Sequence, residues 1–308
     1  MHTILGAGGA IGLELSSVLG EMGHKVRLVS RTPRAVSSHE ETYSADLTNP
    51  ALIRNALTAS SVCYLTAGFE YNTKVWQNTW PPLMKSVIAA CSDMQIPLIF
   101  FDNIYALDPS SMKHITESSP MNPSSAKGKV RAEVDRMLME AVEKGKLQGV
   151  IARAPDFFGP VPEKSLLMNL IYDNLKKGKK AQWFCGAKFK HSSGYTPDLA
   201  KGTALIGNDS SSWNKIWNLP VSSEAPTANE WVELFASAMN AKPGLQTLPP
   251  WGVKALGIFV PILREMVEML YQYDRDYIFD SSAFCKRFSY VPLTPGEAVR
   301  LTVAKLKD

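Results

Sequence analysis

Met1-His2-Thr3-Ile4-Leu5-Gly6-Ala7-Gly8-Gly9-Ala10-Ile11-Gly12 opens the sequence, with a helical run to Gly23 and a second apolar run, Lys25 to Ser30, behind it. The order reads as strand, glycine-rich turn, helix, strand. Glycines at 6, 9 and 12, with a fourth at 8, let backbone N–H groups and a helix N-terminus approach a pyrophosphate that side chains would block. A glycine pattern alone is weak evidence. In this setting it predicts a dinucleotide-binding unit, the alternative being a turn that merely packs. The first helix is expected over about Ala10 to Met22, burying Ile11, Leu15, Val18 and Leu19.

Further along, the second strand ends at Ser30-Arg31. An acid that would grip a ribose 2′-hydroxyl is missing there, and Arg31 and Arg34 stand in its place. An arginine pairs bidentately with a 2′-phosphate, so the expected cofactor is NADP, with NAD as the alternative; otherwise Arg31 is a solvated strand-end residue. Tyr43 to Leu47 reads as a third strand ending in an acid, Asp46. Val62 to Thr66 reads as a fourth, closed by Ala67-Gly68. Glu70 to Pro82 reads as a loop, whose Tyr71, Trp76 and Trp80 form an apolar wall or lid, or else pack into the core.

Pro97 to Phe101 is the expected fifth strand. Asp102, Asn103 and Tyr105 follow it, at the strand end where open α/β sheets bind ligands. Extended alternation puts Asn103 and Tyr105 on one side. A long helix, about Ala126 to Lys144, carries Lys127 above Arg131 and, on a neighbouring face, Lys129 above Glu133. A sixth strand, Gly149 to Arg153, leads into the turn Ala154-Pro155-Asp156-Phe157-Phe158-Gly159-Pro160. Beyond about residue 160 the βα rhythm weakens. Short strands are expected at 182–185, 191–195 and 213–219, and Thr227 with Glu230 makes a capping box for a helix to Met239.

The 308 residues are 45% hydrophobic and 20% charged, with a net charge of +4, which suits a globular protein and no nucleic-acid partner. The basic run Lys176 to Lys180 reads as a solvated helix end. The longest apolar run, Val253 to Leu263, contains Lys254 and Pro261 and is too short to span a bilayer, so no membrane partner is expected. Four cysteines without metal-ligand spacing predict free thiols, no metal and a cytoplasmic setting without a signal peptide.

By these motifs the chain resembles the NAD-dependent epimerase/dehydratase family, the extended or atypical branch of the short-chain dehydrogenases/reductases. Gly6-x-x-Gly9-x-x-Gly12 matches its glycine turn, Asp46-Leu47 its adenine-side pair and Ala67-Gly68 its step after strand four. Arg153 to Gly159-Pro160 is similar to its R-x-x-x-x-Y/F-G-P. The resemblance implies a Rossmann-type doubly wound parallel sheet over 1–160, with contributions from about 181–220. It also implies a small, non-contiguous C-terminal substrate-binding lobe over 161–308. It implies cofactor contacts from Gly6, Gly8, Gly9, Ala10, Ile11, Gly12, Asp46, Leu47, Thr66, Ala67, Gly68, Lys127, Pro155 and Phe158. The chain departs from the family at the chemistry: Asn103 falls on its serine or threonine, Lys127 on its tyrosine and Arg131 on its lysine. A second register puts Ser125 and Lys129 there instead.

Tyr105 is then the available phenol and the expected acid/base, oriented or replaced by Asp102 or Asp156. Asn103 would hold a carbonyl oxygen, Lys127 would donate a proton, and Arg131 would bond the nicotinamide ribose. Three functions follow. One is an NAD(P)-dependent oxidoreductase or epimerase acting on a carbonyl or hydroxyl of a small metabolite. Another is a catalytically degenerate cofactor-binding sensor or interaction module. The third is a nucleotide-sugar epimerase or dehydratase with retained cofactor. A small apolar or aromatic substrate suits a pocket lined by Tyr71, Trp76, Trp80, Phe157 and Phe158. Relatives dimerise through the Ala126–Lys144 helix, whose exposed face here is charged, so either a monomer or a homodimer is expected.

Overall fold

The computed structural model describes residues 1–161 and 165–307. Its chain divides into two compact units. The first comprises Met1–Ala106, Lys127–Ala154 and Leu199–Leu219, and the second comprises Leu107–Ala126, Pro155–Asp198 and the chain from Pro220 on.

The first unit holds β1 (His2–Leu5), α1 (Ala10–Glu21), β2 (Val26–Ser30), β3 (Glu40–Ser44), α2 (Pro50–Ala56) and β4 (Val62–Leu65). It continues with α3 (Thr73–Met94), β5 (Leu98–Asp102), α4 (Ala126–Glu143), β6 (Gly149–Arg153), α6 (Thr196–Gly207) and β10 (Lys215–Asn218). Seven strands form one parallel sheet in the order β10-β6-β5-β4-β1-β2-β3. β1, β4 and β6 are buried along their whole length, which is why they read as unbroken apolar runs rather than alternating ones. Leu65, Trp80, Met84, Val87, Leu98, Phe100, Val134 and Leu138 pack in the layer of α3 and α4 against the sheet. Strand order reverses between β1 and β4, and there the carboxyl ends of an open sheet leave a ligand crevice.

Two expectations need correction in this unit. The third strand is Glu40–Ser44, so Asp46 lies in the turn beyond it, where its carboxylate accepts the backbone N–H and hydroxyl of Thr48. Glu70 to Pro82 is not a loop beyond Asn72: α3 begins at Thr73, its N-terminus capped by the Asn72 side chain. Trp76, Trp80, Leu83, Met84, Val87, Ala90 and Cys91 make a helical stripe that is buried. Pro81 and Pro82 each remove a helix hydrogen bond, leaving the carbonyls of Gln77 and Asn78 on a solvent-exposed stretch where water can serve them. Trp76 and Trp80 therefore form core, not a lid.

The domain boundaries also differ from the sequence expectation. The chain leaves the first unit at Leu107 and again at Pro155, and returns to it with α6 and β10. The strand expected near 182, β8 (Ala181–Phe184), pairs with β11 (Leu245–Leu248) in the second unit and adds nothing to the large sheet. The second unit also contains β7 (Phe157–Phe158) paired with β9 (Gly194–Tyr195), α5 (Asp173–Lys176), α7 (Ala228–Met239), α8 (Pro250–Gly257), α9 (Pro261–Met266), α10 (Ser282–Phe288) and α11 (Pro295–Lys305). Thr227 and Glu230 make the capping box of α7, each side chain bonding the other's backbone N–H.

At the base of the sheet His2 is packed on His24, ring centroids 4.0 Å apart, and its Nδ1 lies 3.0 Å from the Tyr64 hydroxyl. Burial first, and the neighbouring His24 second, push the His2 imidazole down to about 4. The unfolded chain takes up a proton near pH 6.5 that the folded chain refuses, so stability is full above that pH and falls as pH drops towards 4. We expect about 1–2 kcal/mol less stability at pH 5 than at pH 8 from this ring, allowing for solvent screening, and a flatter profile in His2→Gln. Urea unfolding at the two pH values checks it.

Candidate active site

The glycine turn sits at the β1/β4 reversal, and the four glycines do different work. Gly6 has φ +95°, and a Cβ there would lie 2.3 Å from the Ala67 Cα, so the end of β1 can pass Ala67 only without a side chain. A Cβ on Gly12 would lie 2.8 Å from the Ala7 Cα, so Gly12 lets α1 close down on the turn. Gly8 and Gly9 have no atom within 4 Å of such a Cβ: they face open space. Gly9 is the N-cap of α1 and brings no side chain to its first N–H groups, so the N–H groups of Ala10, Ile11 and Gly12 are left for another acceptor. That open cradle with uncapped donors fits the pyrophosphate of a dinucleotide.

Around it, Thr66 donates its hydroxyl towards the carbonyls of Leu5 and Gly6, tying the ends of β4 and β1. Gly68 is exposed beyond Ala67. Arg31 is exposed past the end of β2. The Thr48 hydrogen bonds, with a smaller pull from Arg31, hold the Asp46 carboxyl below its usual range. Leu47 is buried beside it in sequence.

Beyond β5 the chain turns instead of staying extended. The Asn103 side-chain oxygen accepts the Tyr105 N–H at 2.9 Å, which replaces the alternation expected from sequence and leaves the Asn103 amide NH₂ as the donor end. Tyr105 stacks on Trp76, centroids 6.0 Å apart at 19°, and its hydroxyl lies 3.4 Å from that of Tyr71. Lys127 is fully buried on α4. Its ammonium donates to the Thr73 hydroxyl at 3.2 Å and sits 4.8 Å from the Tyr71 ring centroid. Tyr71, Tyr105, Thr73 and Lys127 thus form one cluster. Thr73 escaped the sequence reading; its signal was the cap position after Asn72.

Arg131 differs from expectation. It is buried, its Nε donating to Asp102 Oδ1 at 2.6 Å and its Nη2 to the same oxygen, with the guanidinium 4.2 Å from the Trp80 ring and 4.7 Å from Phe100. Its Nε and Nη2 are thus turned against Asp102, inside the layer of Trp80 and Phe100. Asp102 is likewise buried, its Oδ1 taken by Arg131 while Oδ2 has no hydrogen-bond partner among the described residues. Asp135, one turn on, lies 3.6 Å from Arg153, both fully buried. Burial, then the Asp102 charge, push the Asp135 carboxyl well up against the pull of Arg153 and Arg131. Lys129 and Glu133 are exposed and Ser125 belongs to the second unit, so the first unit's inward pair is Lys127 and Arg131.

Pro155 and Phe158 fall in the second unit. Phe158 is buried there against Tyr195, Trp231 and Phe235, an aromatic core that gives it a packing role. In the same unit Asp156 accepts from Tyr273 and lies 2.9 Å from the His191 Nε2, while His191 is sandwiched between the Tyr273 and Tyr277 rings. Within the second unit Asp156 is thus held by Tyr273 and His191. Among the described residues no cluster of three or more metal-ligating side chains exists, and no helix is long and apolar enough to cross a membrane.

A parallel sheet with an open, uncapped glycine cradle at its strand-order reversal defines a dinucleotide-binding α/β enzyme fold. Residues 2–219 match the NAD dependent epimerase/dehydratase family, and the chain belongs to that enzyme family. Among curated proteins, the uncharacterized protein y4nL of Sinorhizobium fredii is 29% identical over 145 residues, 46% of this chain and only 39% of that protein's length. Among solved structures, UDP-N-acetylglucosamine 4-epimerase from Bacillus cereus is similar at TM-score 0.79 and 14% identity, over 99% of this chain and 96% of that one. Thermus thermophilus UDP-glucose 4-epimerase in complex with NAD gives 0.79 and 16%, over 100% and 99%. The dTDP-glucose 4,6-dehydratase DesIV from Streptomyces venezuelae, with NAD and DAU bound, gives 0.80 and 15%, over 100% and 97%. At these identities the likeness is one of fold.

Proposed function

We propose that the chain is an NAD(P)-dependent enzyme of the nucleotide-sugar epimerase/dehydratase type, acting at a carbon that bears a hydroxyl or carbonyl. The observation that carries the chemistry is the paired phenols of Tyr71 and Tyr105, 3.4 Å apart beside the Lys127 ammonium. The sugar-nucleotide class rests on the family membership and on three whole-length fold relatives that act on UDP- or dTDP-sugars. A bound nicotinamide would supply hydride acceptance and return.

In this reading Gly8, Gly9 and the first N–H groups of α1 hold the pyrophosphate, and Asp46 with Leu47 flanks the adenine side. Arg31 meets a 2′-phosphate, which favours NADP over NAD. Tyr105 exchanges a proton with the substrate oxygen, and Tyr71 passes it on. Lys127 offers positive charge where a phenolate forms, and the Asn103 amide NH₂ donates to the same substrate oxygen. Lys127 reaches this role through Tyr71 and Thr73, not as the lone proton donor. The four free thiols are those a reducing compartment keeps, which supports a cytoplasmic place of work.

Calorimetry with NADP⁺, NADPH, NAD⁺ and NADH, followed by turnover on UDP- and dTDP-sugars, tests this. NADP(H) is expected to bind more tightly, with the preference lost in Arg31→Ala. Tyr105→Phe is expected to lower kcat by about 10²–10⁴-fold with dinucleotide affinity unchanged. Unchanged turnover in Tyr105→Phe would end its acid/base role. Dinucleotide binding with no turnover on any sugar nucleotide would move the assignment to a cofactor-binding sensor.

A further inference from the structure

Ten large apolar side chains are exposed among the described residues, and six of them, Trp251, Leu256, Ile258, Phe259, Val260 and Ile262, fall within twelve positions of the second unit. They belong to a helical hairpin: α8, the turn Ile258–Val260, and α9. The inner side of the hairpin is anchored, with Val253 and Met266 buried. A Cβ on Gly257 would lie 3.0 Å from the Arg264 backbone, so the two helices touch at that glycine. The Phe259 and Val260 N–H groups both bond the Leu256 carbonyl, and Pro261 starts α9. The turn is thus a built tip, with Ile258 at 72% and Phe259 at 83% exposure, and Trp251 at 74% on α8. Side chains this bare are far from the scattered single apolar residues that any surface carries.

Along the hairpin's own stretch of chain up to Arg264 the charges have one sign. From residue 240 to residue 264 the sequence holds Lys242, Lys254 and Arg264 and no carboxylate. Lys254 and Arg264 are exposed and border a small, nearly wholly apolar hollow completed by Gly257, Ile258 and Val267. The next acids along the chain are Glu265, which is half-buried, and Glu268, which accepts the Ala126 N–H at 2.6 Å.

We propose that this hairpin docks on an anionic lipid bilayer, dipping Ile258, Phe259 and Ile262 below the headgroups while Lys254 and Arg264 meet lipid phosphates. An apolar tip rimmed by exposed cations, with a tryptophan near its base, has the chemistry of an interfacial anchor. A second copy of the chain is the poorer occupant, because a two-fold contact through the tip would set Lys254 and Arg264 against their own copies. The apolar run is too short to span a bilayer, and that same shortness suits insertion into one leaflet.

Co-sedimentation of the full chain with phosphatidylcholine vesicles, and with vesicles containing one third phosphatidylglycerol, tests the proposal. Binding to the anionic vesicles is expected to be about tenfold tighter, to weaken in high salt, and to be lost in Ile258→Asn/Phe259→Asn. It should be weakened, not lost, in Lys254→Gln/Arg264→Gln. Circular dichroism and dinucleotide affinity, expected unchanged in both variants, report that they fold. Wild-type protein that stays in the supernatant overturns the proposal, as does equal binding by the folded Asn double variant. A concentration-dependent dimer abolished by that variant, with no vesicle binding, would also overturn it and assign the tip to a second copy.

Discussion

Gly6→Ala is expected to lose at least about 3 kcal/mol of stability and all measurable dinucleotide binding, whereas Gly9→Ala keeps the fold and loses only affinity. The two glycines belong to one motif, but their surroundings differ. At Gly6 the added methyl meets the Ala67 backbone at 2.3 Å, and the positive φ resists any L side chain. Relief requires β1 and β4 to part at the point where the sheet opens to its ligand. At Gly9 φ is −97° and nothing lies within 4 Å, so alanine is tolerated by the chain itself. Its methyl intrudes only on what approaches from outside, and a loss of about tenfold in affinity, about 1.4 kcal/mol, is expected. Thermal unfolding and calorimetry on both variants separate the effects. A Gly9→Ala protein that binds NAD(P) with unchanged affinity would mean that the dinucleotide does not lie across this turn.

Arg131→Met carries the second large effect, a loss of about 3–5 kcal/mol, because it leaves the buried Asp102 carboxylate without its partner. Asp102→Asn alone is expected to cost a similar amount, by stranding the guanidinium between Trp80 and Phe100. The double variant Asp102→Asn/Arg131→Met is expected to recover much of the loss, since both charges then leave the core together. Arg131→Lys is not a mild change here: a lysine keeps the charge but loses the two-nitrogen contact and the flat stacking on aromatic rings. Urea unfolding of the four proteins gives the coupling energy. If Arg131→Met retained wild-type stability and failed only in turnover, the residue would have to reach the cofactor after all.

The glycine turn was legible because everything that defines it is local: a strand, four glycines and a helix within 22 residues. The capping box at Thr227 and Glu230 was legible for the same reason, being three residues wide. The stretch after Glu70 misled because Pro81-Pro82 reads as a break. The stripe through Trp76, Trp80, Met84 and Val87 was present all along, and burial of that face outweighs two lost hydrogen bonds on the wet side. Asp102 and Arg131 stand 29 positions apart, so no spacing rule joins them; only α4 packing over β5 does. Arg131 was read as a ribose ligand because its place in the helix, four residues past Lys127, is the family's lysine. What turns it inward is Trp80 and Phe100, residues from two other elements. The Tyr71–Tyr105 pair was beyond reach in the same way, since each tyrosine was visible singly and their 3.4 Å approach depends on α3 starting at Thr73.

The five crossings of the chain between its two units bear on how the protein is made. β10 covers the outer edge of β6, but 61 residues separate Arg153 from Lys215. At ribosomal rates of about 5–20 residues per second, that stretch takes roughly 3–12 s to appear. During that interval a nascent chain that has already built β1 to β6 presents an apolar strand with an unpaired edge, the kind of surface on which chains join one another. Shortening the protein at residue 160 would make that interval permanent. The nucleotide half, although it contains the whole glycine cradle, is for that reason expected to depend on the last strand of its sheet for solubility, and to be a natural client for chaperones until Asn218 has been synthesised.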